Sequence, residues 1–162
     1  MKQFAQNIFH KALAGIDIGA AIARHLDRDG SKIRAGDAIL DLRDFRKILA
    51  IAFGKASEAM ARKLAGILEP EFPVEGILVA PAAPLSPLPG WQVFTGGHPV
   101  PNAGSLAAGR AILDRLGRCD EKTLVVFLIS GGGSALVEQP LDPSITLADF
   151  QALHAEIGRA HV

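Results

Sequence analysis

The sequence predicts an α/β domain, a Rossmann-like three-layer arrangement with a mainly parallel sheet, and three observations carry that expectation. Lys47–Phe53, Gly76–Ala80 and Leu124–Ile129 are short apolar runs without alternation, as in strands buried on both faces. Helix-forming stretches stand between them: Glu58–Leu68 separates the first two, and Leu106–Leu116 precedes the third. Strands alternating with helices build βαβ units, which close with right-handed crossovers into a parallel sheet. With 162 residues the chain can hold one such domain and bury roughly two thirds of its unfolded surface.

Taken in order, Phe4, Ile8, Ala12, Gly15 or Ile16, Ile22 and Leu26 recur at near-helical spacing, with Lys2, Gln6, Lys11 and Arg24 between them. They predict an amphipathic helix, or a pair broken near Gly15, ending before Asp29-Gly30. His10 and His25 read as solvated residues on it. Ser31–Arg46 is charged, has few apolar anchors, and reads as loop with at most one short strand. Lys47–Phe53 is the first clear strand, Pro70 and Pro73 punctuate the end of the following helix, and Gly76–Ala80 is the next strand. Beyond a proline-rich link, Trp91–Thr95 alternates, which places it near a sheet edge, with Trp91 as a packing residue. Gly96–Asn102 is a stiff loop of glycines and prolines, and Asn102 or Ser105 caps the helix that ends at Gly117. Cys119 reads as an inert loop thiol.

Thr123–Pro140 organises the rest. The apolar run Leu124–Ile129 reads as a central strand, and it ends in Ser130-Gly131-Gly132-Gly133-Ser134. Three glycines remove every Cβ, so backbone amides there can curl round an anion, flanked by the hydroxyls of Ser130 and Ser134. Ala135-Leu136-Val137 opens a helix aimed at the same place, which Pro140 stops. A ligand at the carboxyl end of a central parallel strand is where open α/β sheets bind. The competing reading is a mobile glycine linker, which does not ordinarily follow a buried strand.

Lys and Arg total 17 and Asp and Glu total 17, so the net charge is zero and neither nucleic acid nor an anionic membrane is indicated as partner. The single cysteine excludes an intrachain disulfide and fits a reducing compartment. Lys2, Lys11, Asp17 and Arg24 interrupt the amino-terminal segment, which argues against a secretory signal or membrane span and for a cytoplasmic protein. Gly54-Lys55 followed by Ser57 is not a P-loop: Leu49 stands where its first glycine belongs. The dinucleotide fingerprint fails as well, because Leu136 occupies its third glycine position after Gly131 and Gly133. No His/Cys cluster has metal-ligand spacing, so no metal-binding residue is assigned.

Phe53-Gly54-Lys55-Ala56, Gly97-His98-Pro99-Val100-Pro101-Asn102 and Ser130-Gly131-Gly132-Gly133-Ser134-Ala135-Leu136 occur in this order and at separated positions. In combination they resemble the amino-terminal domain of the bacterial glycerate 2-kinases, whose second, carboxy-terminal domain is of the MOFRL type and whose members are often labelled hydroxypyruvate reductases. The resemblance implies a Rossmann-like domain, ATP with Mg²⁺, and phosphorylation of the 2-hydroxyl of D-glycerate to 2-phosphoglycerate. It places the active site in a cleft between two domains and counts Lys55 as catalytic. Residues 1–155 then form an incomplete amino-terminal domain, with the MOFRL domain absent and the chain by itself inactive. Glu156–Val162 matches the translation of a common sequencing adapter and is set aside as read-through, leaving Asp149–Ala155 as the start of a genuine helix. An NAD(P)H-dependent hydroxypyruvate reductase and a non-catalytic fragment are the alternatives. The partner expected is a small molecule, with a homodimer the one protein partner entertained.

Lys55, at the carboxyl end of the first strand, is the catalytic candidate: its ammonium would neutralise the transferring phosphoryl group or hold the substrate carboxylate. The plain alternative is a solvated lysine in a helix's first turn, where its charge opposes the helix dipole. Ser130, Gly131, Gly132, Gly133 and Ser134 are the cofactor-binding candidates. His98 and Asn102 are the substrate-binding candidates, against a structural histidine bonded to a loop carbonyl and an ordinary helix cap.

Overall fold

The structure, a computed structural model, describes residues 4–9, 15 and 17–159. Expectations for Lys2, His10, Lys11, Ala12, Ile16 and residues 160–162 lie outside the described residues. After α1 (residues 4–9), α2 (Ile18–His25) starts on the Asp17 carboxylate, which accepts from the Ala20 amide at 2.9 Å. The helix expected to run on towards Asp29 stops at His25. In its place Leu26–Asp29 (β1), Lys32–Ala35 (β2) and Ala38–Asp41 (β3) form an antiparallel meander, largely within the stretch read as loop. Its register leaves Gly30-Ser31 and Gly36-Asp37 as two-residue hairpin turns. The meander is held by few apolar anchors. Ile33 is buried among Leu42, Ile48, Leu68 and Val74, and the Arg28 guanidinium lies over Phe72, donating to the Ile67 carbonyl at 2.7 Å and to Glu71 at 2.6 Å.

The main sheet comprises β4 (Lys47–Phe53), β5 (Val74–Ala80), β6 (Trp91–Thr95) and β7 (Thr123–Ile129), all parallel, in the order β6-β5-β4-β7. Period-two alternation divides β4 between two layers. Ile48 and Ala50 face α3 (Ser57–Leu68) through Leu64 and Leu68, whereas Leu49 and Ile51 face α4 (Ala103–Leu116) through Ala108 and Ile112. Both strand faces are therefore covered, and the fold is the three-layer α/β arrangement expected. Trp91–Thr95 is an edge strand as its alternation implied, with the Trp91 ring against Gly76.

One expectation is corrected. β7 is an edge strand and not the centre of the sheet; β4 and β5 take the central places. Leu124, Val126 and Leu128 pack into the α3-side core, but no helix of the described chain covers the other face, where Phe127 is 50% and Ile129 61% exposed. α4 lies instead over β4, β5 and β6. The glycine segment after β7 forms only a single helical turn, α5 (Gly133–Leu136), shorter than expected because Val137 already returns to extended backbone. α6 (Leu147–Arg159) begins at Thr146, whose hydroxyl donates to Asp149 at 2.7 Å and accepts from its amide, and it continues through Glu156. Among the described residues no helix is long and apolar enough to cross a membrane.

Candidate active site

β4 and β7 are adjacent and in register, so the loops that leave their carboxyl ends meet. Three backbone-centred bonds join them: the Ser130 amide donates to the Phe53 carbonyl at 3.1 Å, the Lys55 amide to the Gly131 carbonyl at 3.0 Å, and the Ala56 amide to Ser130 Oγ at 3.0 Å. The Gly54 amide ties the same turn to Val79 of β5 at 3.3 Å. Gly54 holds φ +118, and a Cβ there would collide with Ser130. The turn after β4 is thus shaped to fit the turn after β7, with no side chain on Gly54 and the Ser130 hydroxyl filling the space between them.

This joining brings the separated motifs together. Gly132 has φ +88, and a Cβ on it would lie 2.8 Å from His98 Cδ2, 2.9 Å from His98 Nε2 and 3.3 Å from Lys55 Cε. The imidazole and the lysine stem therefore flank the middle of the glycine segment. A Cβ on the neighbouring Gly131 would meet nothing within 4 Å, so the arch is open on that side. The amides of Gly131 and Gly132 donate to no protein group among the described residues. Lys55, His98 and Ser134 are exposed, and among the described residues Lys55 makes no ion pair.

The remaining candidates have partners within the chain. Ser130 accepts the Ala56 amide. Asn102 is the N-cap of α4: its Oδ1 accepts from the Ser105 amide at 3.0 Å, and Ser105 Oγ accepts from the Asn102 amide at 3.2 Å in a capping box. Gly133 is buried against the Phe53 ring, so it serves the packing of α5. The sequence considered Ser105 only as a cap, yet its fully buried hydroxyl also accepts from Gly97 and donates to Ala135. A lone polar residue in a first turn of otherwise small and apolar residues was the available signal.

The segment after the glycines is seated directly on backbone. A Cβ on Gly96 would lie 2.5 Å from the Leu136 carbonyl oxygen, and one on Gly109 would overlap the Glu138 carbonyl. α6 closes this side, with His154 Nε2 paired to Glu138 at 2.8 Å and Gln151 donating to the Pro101 carbonyl at 3.0 Å.

Charge is distributed unequally between the two ends of the sheet. At the amino end Glu75 is paired with Lys47 at 2.8 Å and with Arg115 at 2.9 Å, and their hydrogen bonds, that of Lys47 foremost, hold its carboxyl below the ordinary value. Asp120 is likewise held low, first by the Thr123 hydroxyl, and is paired with Arg46. The carboxyl end instead combines an ammonium and two amides that have no partner among the described residues with an exposed imidazole. That combination suits an anion.

Comparison with known proteins agrees with the motifs. The family described as Domain of unknown function (DUF4147) matches residues 4–161. A glycerate 2-kinase of Pyrococcus horikoshii is 38% identical over 105 residues, covering 65% of this chain and 23% of the relative. The D-glycerate 2-kinase of Thermotoga maritima is 29% identical over 107 residues, covering 66% and 25%. Among solved structures, a Pyrococcus horikoshii OT3 protein superposes with a TM-score of 0.73 at 30% identity, over 91% of this chain and 33% of its own. The Thermotoga maritima glycerate kinase superposes with a TM-score of 0.62 at 29% identity, over 70% and 27%. The chain thus spans a quarter to a third of the length of these relatives. On the extent of the family match and on these relatives, the chain belongs to the DUF4147 family, the family of the glycerate kinases it resembles.

Proposed function

We propose that this domain forms one wall of the active site of an ATP-dependent glycerate 2-kinase, which transfers a phosphoryl group to the 2-hydroxyl of D-glycerate. The observation that carries the reading is the convergence of Lys55, His98 and Gly132 at the carboxyl ends of β4 and β7, with no carboxylate among the described residues neutralising the lysine. Phosphoryl transfer asks the protein for position and for positive charge around the equatorial oxygens, more than for covalent chemistry.

ATP fits this donor set, and when bound it supplies the phosphoryl group. The bare amides of Gly131 and Gly132 would hold a phosphate oxygen, and the Ser134 hydroxyl lies on the same segment. The Lys55 ammonium would offset the charge that grows during transfer. His98 would bind the glycerate carboxylate or hydroxyl, and Asn102, whose carbonyl oxygen is committed to the cap, would offer its amino group to the same ligand. Among the described residues no group of three His, Cys, Asp or Glu side chains could cage a metal ion, so Mg²⁺ would reach this wall on the phosphates of ATP, with its remaining ligands from water and from elsewhere in the polypeptide.

The open surface around Lys55, and the share of the relatives that the chain spans, support a cleft whose second wall comes from elsewhere in a longer polypeptide. The 162-residue chain should accordingly make no 2-phosphoglycerate from ATP, Mg²⁺ and D-glycerate. Turnover within about tenfold of a full-length relative would overturn the two-walled cleft. In a polypeptide extended to the relatives' length, ATP-dependent formation of 2-phosphoglycerate is expected. Reduction of hydroxypyruvate with NAD(P)H in its place would favour the reductase reading, against which the buried Leu136 stands at the position a dinucleotide loop reserves for glycine. Residues 156–162 are proposed to be adapter-derived, although the family match runs into them. A genomic sequence encoding Glu156–Val162 would remove that proposal.

A further inference from the structure

We propose that Ser105 is a positioning residue of this site: its hydroxyl fixes the His98 loop against the glycine arch. The inference rests on the anion-site reading above. Ser105 is 0% exposed, and its Oγ makes four contacts to two different chain segments, the longest of them 3.4 Å to the Asn102 Oδ1. It accepts from Gly97 at 3.0 Å and from Asn102 at 3.2 Å, the residues on either side of His98-Pro99-Val100-Pro101. It donates to the Ala135 carbonyl at 2.8 Å, in the turn that follows Gly132. The Ser105 carbonyl then accepts the Glu138 amide at 3.2 Å. One hydroxyl therefore pins both ends of the His98 loop and the far side of the glycine segment to the same point of α4.

The near side of that segment is pinned independently, by the Lys55 amide on Gly131 and the Ala56 amide on Ser130 Oγ. Lys55 consequently keeps its place beside Gly132 without Ser105, whereas no other hydrogen bond among the described residues ties the Gly97 or Asn102 amides to the glycine segment. A hydroxyl with all its bonds made inside the protein loses each of them when it is removed, and the desolvated amides left behind must move to find water. The group predicted to shift is His98.

The test is NMR on the 162-residue chain with inorganic phosphate as the probe. In the native protein a cross-relaxation peak should link the His98 ring Hδ2 to the Gly132 Hα, because the ring lies against that carbon. In Ser105→Ala this peak should be lost, and the phosphate dissociation constant read from the Gly131 and Gly132 amides should rise about tenfold. Ile112→Val, which removes core contacts from the same helix but no hydrogen bond, should leave both unchanged while lowering the melting temperature. A peak of native intensity in Ser105→Ala, or a lost peak with unchanged affinity, overturns the positioning role. A native chain whose amides ignore phosphate overturns the anion site, and the His98–Gly132 peak then decides the role of Ser105 alone. Should Ser105→Ala not fold, Ser105→Cys, with a weak donor and acceptor at the same place, carries the same comparison and should weaken the peak.

Discussion

The two ends of the parallel sheet are built on opposite principles. The amino end consumes its charge internally: Lys47, Glu75 and Arg115 form one chain of contacts, and Arg46 and Asp120 another. The carboxyl end holds its loops with backbone bonds, and among the described residues it leaves Lys55 without a counter-ion. The same strands connect both, so the difference does not come from the sheet. Under the proposed function it comes from what each end would meet, solvent at one and an anionic ligand at the other. Charges satisfied by each other contribute little and bind nothing, whereas an unsatisfied cation beside bare amides stores an interaction for an incoming anion.

The contrast breaks most readily at Lys55. In a polypeptide of the relatives' length, Lys55→Ala should lower kcat by about a hundredfold or more, roughly 2.7 kcal/mol, with the melting temperature unchanged. Lys55→Arg should restore little, because a planar guanidinium does not replace a compact point charge. Steady-state kinetics beside a thermal melt decides the matter, and near-native turnover in Lys55→Ala would return the lysine to a solvated surface role.

The glycine arch offers a sharper pairing. Gly132→Val must place a β-branched side chain at φ +88 and against the His98 ring, so calorimetry should show phosphate or ATP binding weakened by at least about tenfold, near 1.4 kcal/mol. Gly131→Ala, where the added methyl meets nothing within 4 Å, should bind nearly as the native chain does. Equal losses in both variants would mean that mobility, and not shape, is what the glycines provide.

Away from both ends, Thr146→Ala removes the cap of α6 and should cost about 1 kcal/mol in chemical denaturation. The smallest effect belongs to the amino end. The folded Glu75 carboxyl is held below its ordinary value of 4.5, so its pairing stabilises the protein above that pH and is lost as the pH falls through the folded value. With its side chain 50% exposed, the loss should stay under about 1 kcal/mol, and Glu75→Gln should remove that part of the acid dependence while leaving phosphate binding intact.

The layer structure was legible because continuous apolar runs and helix formers are local signals. Lys47–Phe53 and Trp91–Thr95 have the limits that the sequence implies. The meander was read as loop since its charged residues mask the alternation, although its Gly-Ser and Gly-Asp pairs were usable hairpin signals. The edge position of β7 could not be read: an apolar run records that a strand needs covering, not whether this part of the chain covers it. The site was legible as three motifs but not as a geometry. The approach of His98 to Gly132, and the bonds of Ser105, depend on backbone atoms brought together only by the fold.

The contacts of Gly96 with Leu136 and of Gly109 with Glu138 bear on how this site can be altered by selection or by design. Where two stretches of main chain touch, no side chain exists to be resized, and every substitution adds atoms to a filled space. Variation is thereby channelled outward, to side chains such as His98 and Ser134 that project from the finished frame. A library aimed at a new acceptor should therefore randomise those positions and leave the glycines untouched. The frame would then serve as a fixed socket into which different chemistry is fitted.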